Sequence, residues 1–297
     1  MGFLIVLNPG AGSADDAREL LRHAGSRLRA VRSIELGADG LRGAIDEAVA
    51  EGRVVVAAGG DGTANAVAQH LVGRGTLGVL PGGTLNHFAR DIGVRDVDAA
   101  VEALKAGRTR RIDAARLNGE RYFLNNVGIG LYPEMVYRRE QVEGRSWKWP
   151  ATAGAAFRVM RDSEPVAGTI AADGDRRTLL AWMVFVGNNR FGTTPGRIGQ
   201  RERLDEGILD VGLFLAGPRG ARRSSVAWRV LRSRAWQASS RLIRRDARRV
   251  EIGLDAEPRQ ISCDGETVER LRSVEAEIVP RALRVVIPPE ASAPVEG

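Results

Sequence analysis

The chain has 297 residues, a formal net charge of +7 and one cysteine. That length suits about two domains of roughly 100–200 residues each, and a 43% hydrophobic content argues for globular folding rather than disorder. Of 44 basic residues only Lys105 and Lys148 are lysines, and neither lies in a GxxxxGK[ST] loop or a VAIK-like strand. This argues against P-loop and protein-kinase phosphate chemistry. The polar contexts of both lysines likewise argue against a Schiff-base mechanism.

Cys263 alone cannot form an internal disulfide, and zinc-spaced Cys/His clusters are absent from the sequence. The start, MGFLIVLNPG, lacks a basic n-region, and its apolar run is too short for a signal peptide. The longest near-continuous apolar stretch, 179–186, falls far below the ~20 residues needed to span a bilayer. The expectation is a soluble, cytoplasmic protein.

In chain order, the apolar run 3–7 is broken by Asn8-Pro9-Gly10 and predicts a buried strand ending in a tight turn. Ser13-Ala-Asp-Asp16 offers a capping-box-like start for a helix to about residue 30. Leu41, Ala44, Ile45, Ala48 and Val49 share one helical face. A second buried strand is expected at 53–58, running into Gly59-Gly60-Asp61-Gly62-Thr63, with Val67 and Leu71 on the stripe of the next helix. A third strand at 77–80 runs into Pro81-Gly82-Gly83-Thr84, and Val97, Val101 and Leu104 mark another helix. Strand and helix in short alternation predict a parallel sheet, with ligands at the carboxyl ends of its strands.

Beyond about residue 115 the pattern changes. Runs at 121–127, 179–186, 208–215, 250–254, 273–279 and 283–287 read as strands, several alternating as in a half-buried antiparallel sheet. Helices are expected near 149–161 and 226–244. The expected organisation is a nucleotide-binding α/β domain at 1–118 and a mostly antiparallel β domain at 119–297. The last strand returns toward the first domain, and the cleft between the two is the natural active site.

Three glycine-rich turns carry the chemistry. In Gly59-Gly60-Asp61-Gly62-Thr63, glycines let several N–H groups point into one concavity suited to phosphate oxygens, and the following helix adds its positive end. Asp61 inside such a loop would repel phosphates unless a divalent cation bridged them, which points to Mg²⁺. The alternative is a plain strand-to-helix turn with an N-cap aspartate. Pro81-Gly82-Gly83-Thr84-Leu85-Asn86 repeats the logic on the next strand, and Asn8-Pro9-Gly10 adds a third turn.

These residues, with Gly59 to Asn65, Pro81 to Asn86 and Phe88-Ala89-Arg90, resemble the diacylglycerol kinase catalytic domain family, which includes bacterial lipid kinases and sphingosine kinases. The resemblance continues through Asn125-Asn126-Val127-Gly128-Ile129-Gly130, Leu204-Asp205-Glu206-Gly207 and Asp264-Gly265-Glu266, in order along the chain. A lone GGDGT would be unspecific, because NAD kinases and phosphofructokinases share it. The resemblance implies transfer of the γ-phosphoryl group of Mg-ATP to a lipid hydroxyl, with diacylglycerol the default acceptor. It implies nucleotide contacts at Asn8, Pro9, Gly10, Gly59, Gly60, Asp61, Gly62, Thr63, Asn65, Gly83, Thr84 and Asn86. It also implies catalytic roles for Glu266 as base and for Asp61 and Asp264, and a second cation at Arg203, Glu206 and Ile208; without the resemblance, Asp264-Gly265-Glu266 reads equally as an ordinary hairpin turn. Glu206 stands where the family has aspartate, with Asp205 or Asp210 as alternative carboxylates for that cation, His87 where the commonest pattern has aspartate, and Gly37 near a usual threonine. An NAD kinase-like phosphotransferase and an inactive nucleotide- or lipid-binding regulator remain the alternatives.

Residues 219–249 hold eleven arginines against Asp246, with Trp228 and Trp236. Such a stretch fits anionic headgroups or a solvated helix face. No nucleic-acid fold motif accompanies it. The partner expected is a lipid met at the membrane surface, with the chain peripherally bound there; no nucleic acid is expected, and a homodimer is left open.

Overall fold

The computed structural model describes residues 2–8, 22, 24–28, 31–83, 86–130, 164–192, 199–216, 242–255 and 257–289. Two compact units divide the chain: one draws on 1–115, 199–207 and 279–297, the other on 116–198 and 208–278. The first unit thus takes back a nine-residue segment as well as the end of the chain.

In the first unit, β1 (Phe3–Leu7), β2 (Val31–Glu35), β3 (Val54–Gly59) and β4 (Thr76–Pro81) form a parallel sheet in the order β2–β1–β3–β4. The C-terminal end of β15 (Ser273–Val286) joins β4 in parallel, with Arg284 opposite Thr76. All six residues of β3 are buried, which is why this strand reads as a continuous apolar run. Among the described residues, the helices α1 (Leu41–Ala50), α2 (Asp61–Leu71), α3 (His87–Asp91) and α4 (Val97–Ala106) lie between the strands. In α4 Asp96 caps the start by accepting from the amide of Ala99 at 2.8 Å. Gly107 closes the helix at φ 65°.

The second unit is antiparallel. Its strand order is β14 (Glu266–Leu271), β13 (Arg259–Cys263), β7 (Asn126–Gly130), β9 (Asp175–Asn188), β8 (Val166–Ala172), β12 (Arg249–Leu254), then the first half of β15. The long β9 also pairs with β10 (Leu209–Leu215), which carries β11 (Leu242–Ala247) on its other side. The architecture is therefore an α/β unit with a parallel sheet and a mostly antiparallel β unit.

Several expectations change in detail. Residues 242–244, expected at the end of a helix, are in β11, where Leu242 to Ala247 pair in register with Phe214 to Leu209. The expected strand at 121–127 is two strands, β6 (Arg121–Phe123) and β7, separated at Leu124 and Asn125. The runs at 273–279 and 283–287 are one strand, β15, which carries Pro280 and a positive φ at Arg281. The helix expected at 149–161, the rest of 226–244, and Ser13 to Asp16 lie outside the described residues.

Candidate active site

Two of the three glycine turns sit at the carboxyl ends of the adjacent strands β3 and β4, where a doubly wound sheet places its ligands. They pack backbone against backbone. A Cβ on Gly83 would lie 2.6 Å from the Cα of Gly60, so no side chain fits there. The Gly82 amide donates to the Gly59 carbonyl at 3.0 Å, and a Cβ on Gly59 would collide with the Thr63 hydroxyl at 2.4 Å. Asn8, at the end of β1, donates its Nδ2 to Thr63 Oγ1 at 3.1 Å, so the ends of three neighbouring strands are joined.

Asn86 closes the second turn from within. It has a left-handed backbone, φ 47°, which asparagine tolerates. Its Oδ1 accepts from the Gly83 amide at 3.0 Å, and its Nδ2 donates to the Gly83 carbonyl at 2.5 Å. Asp61, the first residue of α2, reaches across and accepts from the amides of His87 (3.0 Å) and Phe88 (2.8 Å) at the start of α3. One carboxylate therefore ties the first turn to the second. Asn65 is buried on α2, where its Oδ1 accepts from Gln69 Nε2 at 2.9 Å. Pro9, Gly10 and Thr84 lie outside the described residues.

The 203–207 turn belongs to the first unit. The buried Asp113 organises it: its amide donates to the Leu204 carbonyl at 2.7 Å, and its carboxylate accepts from the amides of Gly207 (2.7 Å) and Arg281 (2.8 Å). Asp205 pairs with Arg110 at 2.9 Å and Arg203 at 3.2 Å. Burial alone would raise its carboxyl, but these two guanidiniums outweigh that and hold it below the ordinary carboxylate value. Arg203 is exposed, Glu206 half-buried, and the Ile208 carbonyl accepts from the Asn189 amide at 3.0 Å. Among the described residues no cluster of three or more His, Cys, Asp or Glu is placed to hold a metal ion.

In the second unit Asp264 and Gly265 form the two-residue turn between β13 and β14, at φ 51° and 84°. Positive φ at both positions is the primed turn that matches strand twist. Asp264 is 6% exposed, and its carboxylate accepts three backbone amides: Leu124 (2.7 Å), Asn125 (2.8 Å) and Asn126 (2.9 Å). The structure thus gives Asp264 the task of holding the break between β6 and β7. Glu266, two residues on, is 55% exposed at its side chain and accepts from Arg121 Nη2 at 2.9 Å. Cys263 is fully buried; burial, then the neighbouring Asp264 carboxylate, pushes its thiol well above its ordinary range.

Sequence reasoning missed Asp113 and Arg121, which stand in no motif. It also missed the buried Asn188, whose Nδ2 donates to the Leu124 carbonyl at 3.0 Å. The consecutive asparagines at 188 and 189, each almost wholly buried, were the available signal.

Glycine turns seated on each other at the ends of parallel strands, in a chain that also carries a mostly antiparallel β unit, define an α/β plus β protein whose turns present backbone N–H groups. Residues 2–117 match the family model "Diacylglycerol kinase catalytic domain", and residues 140–287 match "YegS C-terminal NAD kinase beta sandwich-like domain". A protein of Pseudomonas aeruginosa described as "Probable lipid kinase YegS-like" is 30% identical over 310 residues, covering 96% of this chain and 94% of that one. The diacylglycerol kinase of Bacillus subtilis (strain 168) is 40% identical over 104 residues, so the match spans 34% of that relative's length. A solved diacylglycerol kinase from Bacillus anthracis str. Sterne shares the fold at TM-score 0.70 and 20% identity, over 97% of this chain and 98% of that one. The chain belongs to the diacylglycerol kinase catalytic domain family, with a YegS-like C-terminal half.

Proposed function

We propose that this chain is an ATP-dependent lipid kinase that transfers the γ-phosphoryl group of Mg-ATP to a lipid hydroxyl, with diacylglycerol as acceptor and phosphatidic acid as product. The observation that carries the reading is the seating of Gly83 on Gly60, with Asp61 bonded to the amides of His87 and Phe88. Phosphoryl transfer asks a protein for positioning, charge neutralisation and one group to orient the nucleophile. The glycine turns supply backbone N–H groups for the phosphates without a lysine, and the eleven-residue α2 adds its positive end.

Each Asp61 oxygen accepts one backbone amide. A carboxylate offers about four lone-pair sites, so the donor set fits a Mg²⁺ ion shared with the phosphates. When bound, that ion would neutralise phosphate charge. Glu206, with the carbonyls of Arg203 and Ile208, is the set proposed for a second, structural cation. Because Asp264 is committed to three amides, Glu266 is the solvent-facing carboxylate of its turn, and we assign it as the base that takes the hydroxyl proton. Family membership and the names of the relatives support a lipid as acceptor.

The test is incubation with [γ-³²P]ATP and Mg²⁺, with a lipid panel in one arm and NAD in another. Labelled phosphatidic acid is expected. Intact nucleotide binding without lipid labelling would leave an inactive regulator, and labelled NADP would assign the chain to NAD kinase-like chemistry. Glu266→Gln should abolish transfer while Mg-ATP affinity persists, and its exposed ion pair is worth at most about 1 kcal/mol of stability. A peripheral membrane role predicts co-sedimentation with vesicles that rises with anionic lipid and falls with salt. Insensitivity to both would count against it. No described helix is long and apolar enough to cross a membrane.

A further inference from the structure

Among the described residues of the first unit, one ion pair is almost wholly buried. Arg201 is 0% and Asp91 5% exposed at their side chains. Arg201 meets the carboxylate with three donors: its amide at 3.3 Å, Nε at 2.8 Å and Nη2 at 2.7 Å. Arg201 lies in the nine-residue segment 199–207 that the first unit takes back, and Asp91 is the last residue of α3.

Such a pair is a poor way to gain stability, since desolvating two charges offsets most of their attraction; what it fixes is orientation. Asp91 also stands at the carbonyl end of its helix, the unfavourable end for a carboxylate unless a cation meets it. Five residues cannot hold a helix by themselves, so α3 depends on its anchors. At its start the amides of His87 and Phe88 bond Asp61, and Asn86 grips Gly83, which touches Gly60. At its end stands Arg201.

We propose that the Asp91–Arg201 pair is a positioning clamp for the second glycine turn, holding α3 so that the Gly83–Asn86 grip and the Asp61 bonds keep the phosphate cradle closed. The functional half of this inference rests on the reading of these turns as a nucleotide site. Neither side chain touches the reacting atoms; both act through α3.

The double variant Asp91→Leu/Arg201→Met removes both charges together, leaving no lone buried ion to unfold the protein. Arg201→Lys is the second variant, keeping the charge but losing the planar multi-nitrogen contact. Hydrogen exchange is read at the amides of Gly83, His87 and Phe88 in nucleotide-free protein, together with the KM and kcat for ATP. In a variant that melts near the wild-type temperature, those amides should exchange at least about tenfold faster, with KM rising more than kcat falls. Unchanged exchange at all three amides in a folded variant overturns the clamp. Because exchange is read without nucleotide, a failure of the kinase reading shows separately, as wild-type protein that turns over no ATP while the exchange effect stands.

Discussion

Replacing Asp264 by asparagine keeps the shape and the left-handed backbone, which both residues tolerate at φ 51°, and changes only the electrostatics. In the native turn Oδ2 accepts from Leu124, and Oδ1 accepts from Asn125 and Asn126. The amide variant keeps one acceptor oxygen for the latter pair and turns an NH₂ toward the Leu124 amide. One buried donor is then left unsatisfied, at a cost of about 1–3 kcal/mol, and two charge-assisted bonds become neutral, each weaker by roughly 1 kcal/mol. Relief of the buried charge offsets part of this, so Asp264→Asn should lose roughly 2–4 kcal/mol. For a chain of this size that is a fall in Tm of about 4–8 °C, read by circular dichroism. Asp264→Ala strands all three amides and should fall further. An Asp264→Asn protein with wild-type Tm and lost phosphoryl transfer would refute the reasoning, because the carboxylate would then serve chemistry rather than the turn.

Three further outcomes are expected. Gly83→Ala drives a Cβ to 2.6 Å from the Gly60 backbone and should cost about 1–3 kcal/mol and weaken ATP binding, as seen by calorimetry. Gly60→Ala, whose Cβ would stand 3.4 Å from Gly83, should be much milder, and equal effects would contradict the packing. Cys263 should resist a thiol reagent such as dithionitrobenzoate in native protein at pH 8 and titrate as one thiol after denaturation; rapid native labelling would contradict its burial. Asp205, with its pKa lowered in the folded state, contributes stability at neutral pH that is lost as pH falls through that lowered value. The Tm gap between wild type and Asp205→Asn should therefore be present at pH 7 and narrow below about pH 4; a gap that widens in acid would reverse the sign.

Much of the first unit was legible because buried parallel strands are short, continuous apolar runs, and the glycine turns follow them directly. β2 escaped because VRSIE places only half-buried residues among exposed ones at the sheet edge. β8, VAGTIAA, escaped because alanine and glycine carry little strand signal. Residues 242–244 read as helix because arginine and leucine favour helices, yet cross-strand pairing with β10 outweighs that preference.

The sequence by itself determined the order of turns and elements, because local periodicity and backbone freedom are written residue by residue. It also showed a chain whose positive charge is carried almost entirely by arginine, with only Lys105 and Lys148 as lysines. Only the tertiary structure decided what the carboxylates do. Asp264 holds amides about 140 residues away along the chain, Asp61 holds amides 26 and 27 residues on, and Asp91 meets a guanidinium 110 residues on. A carboxylate's role depends on which donors reach its oxygens, and at such separations folding alone determines that.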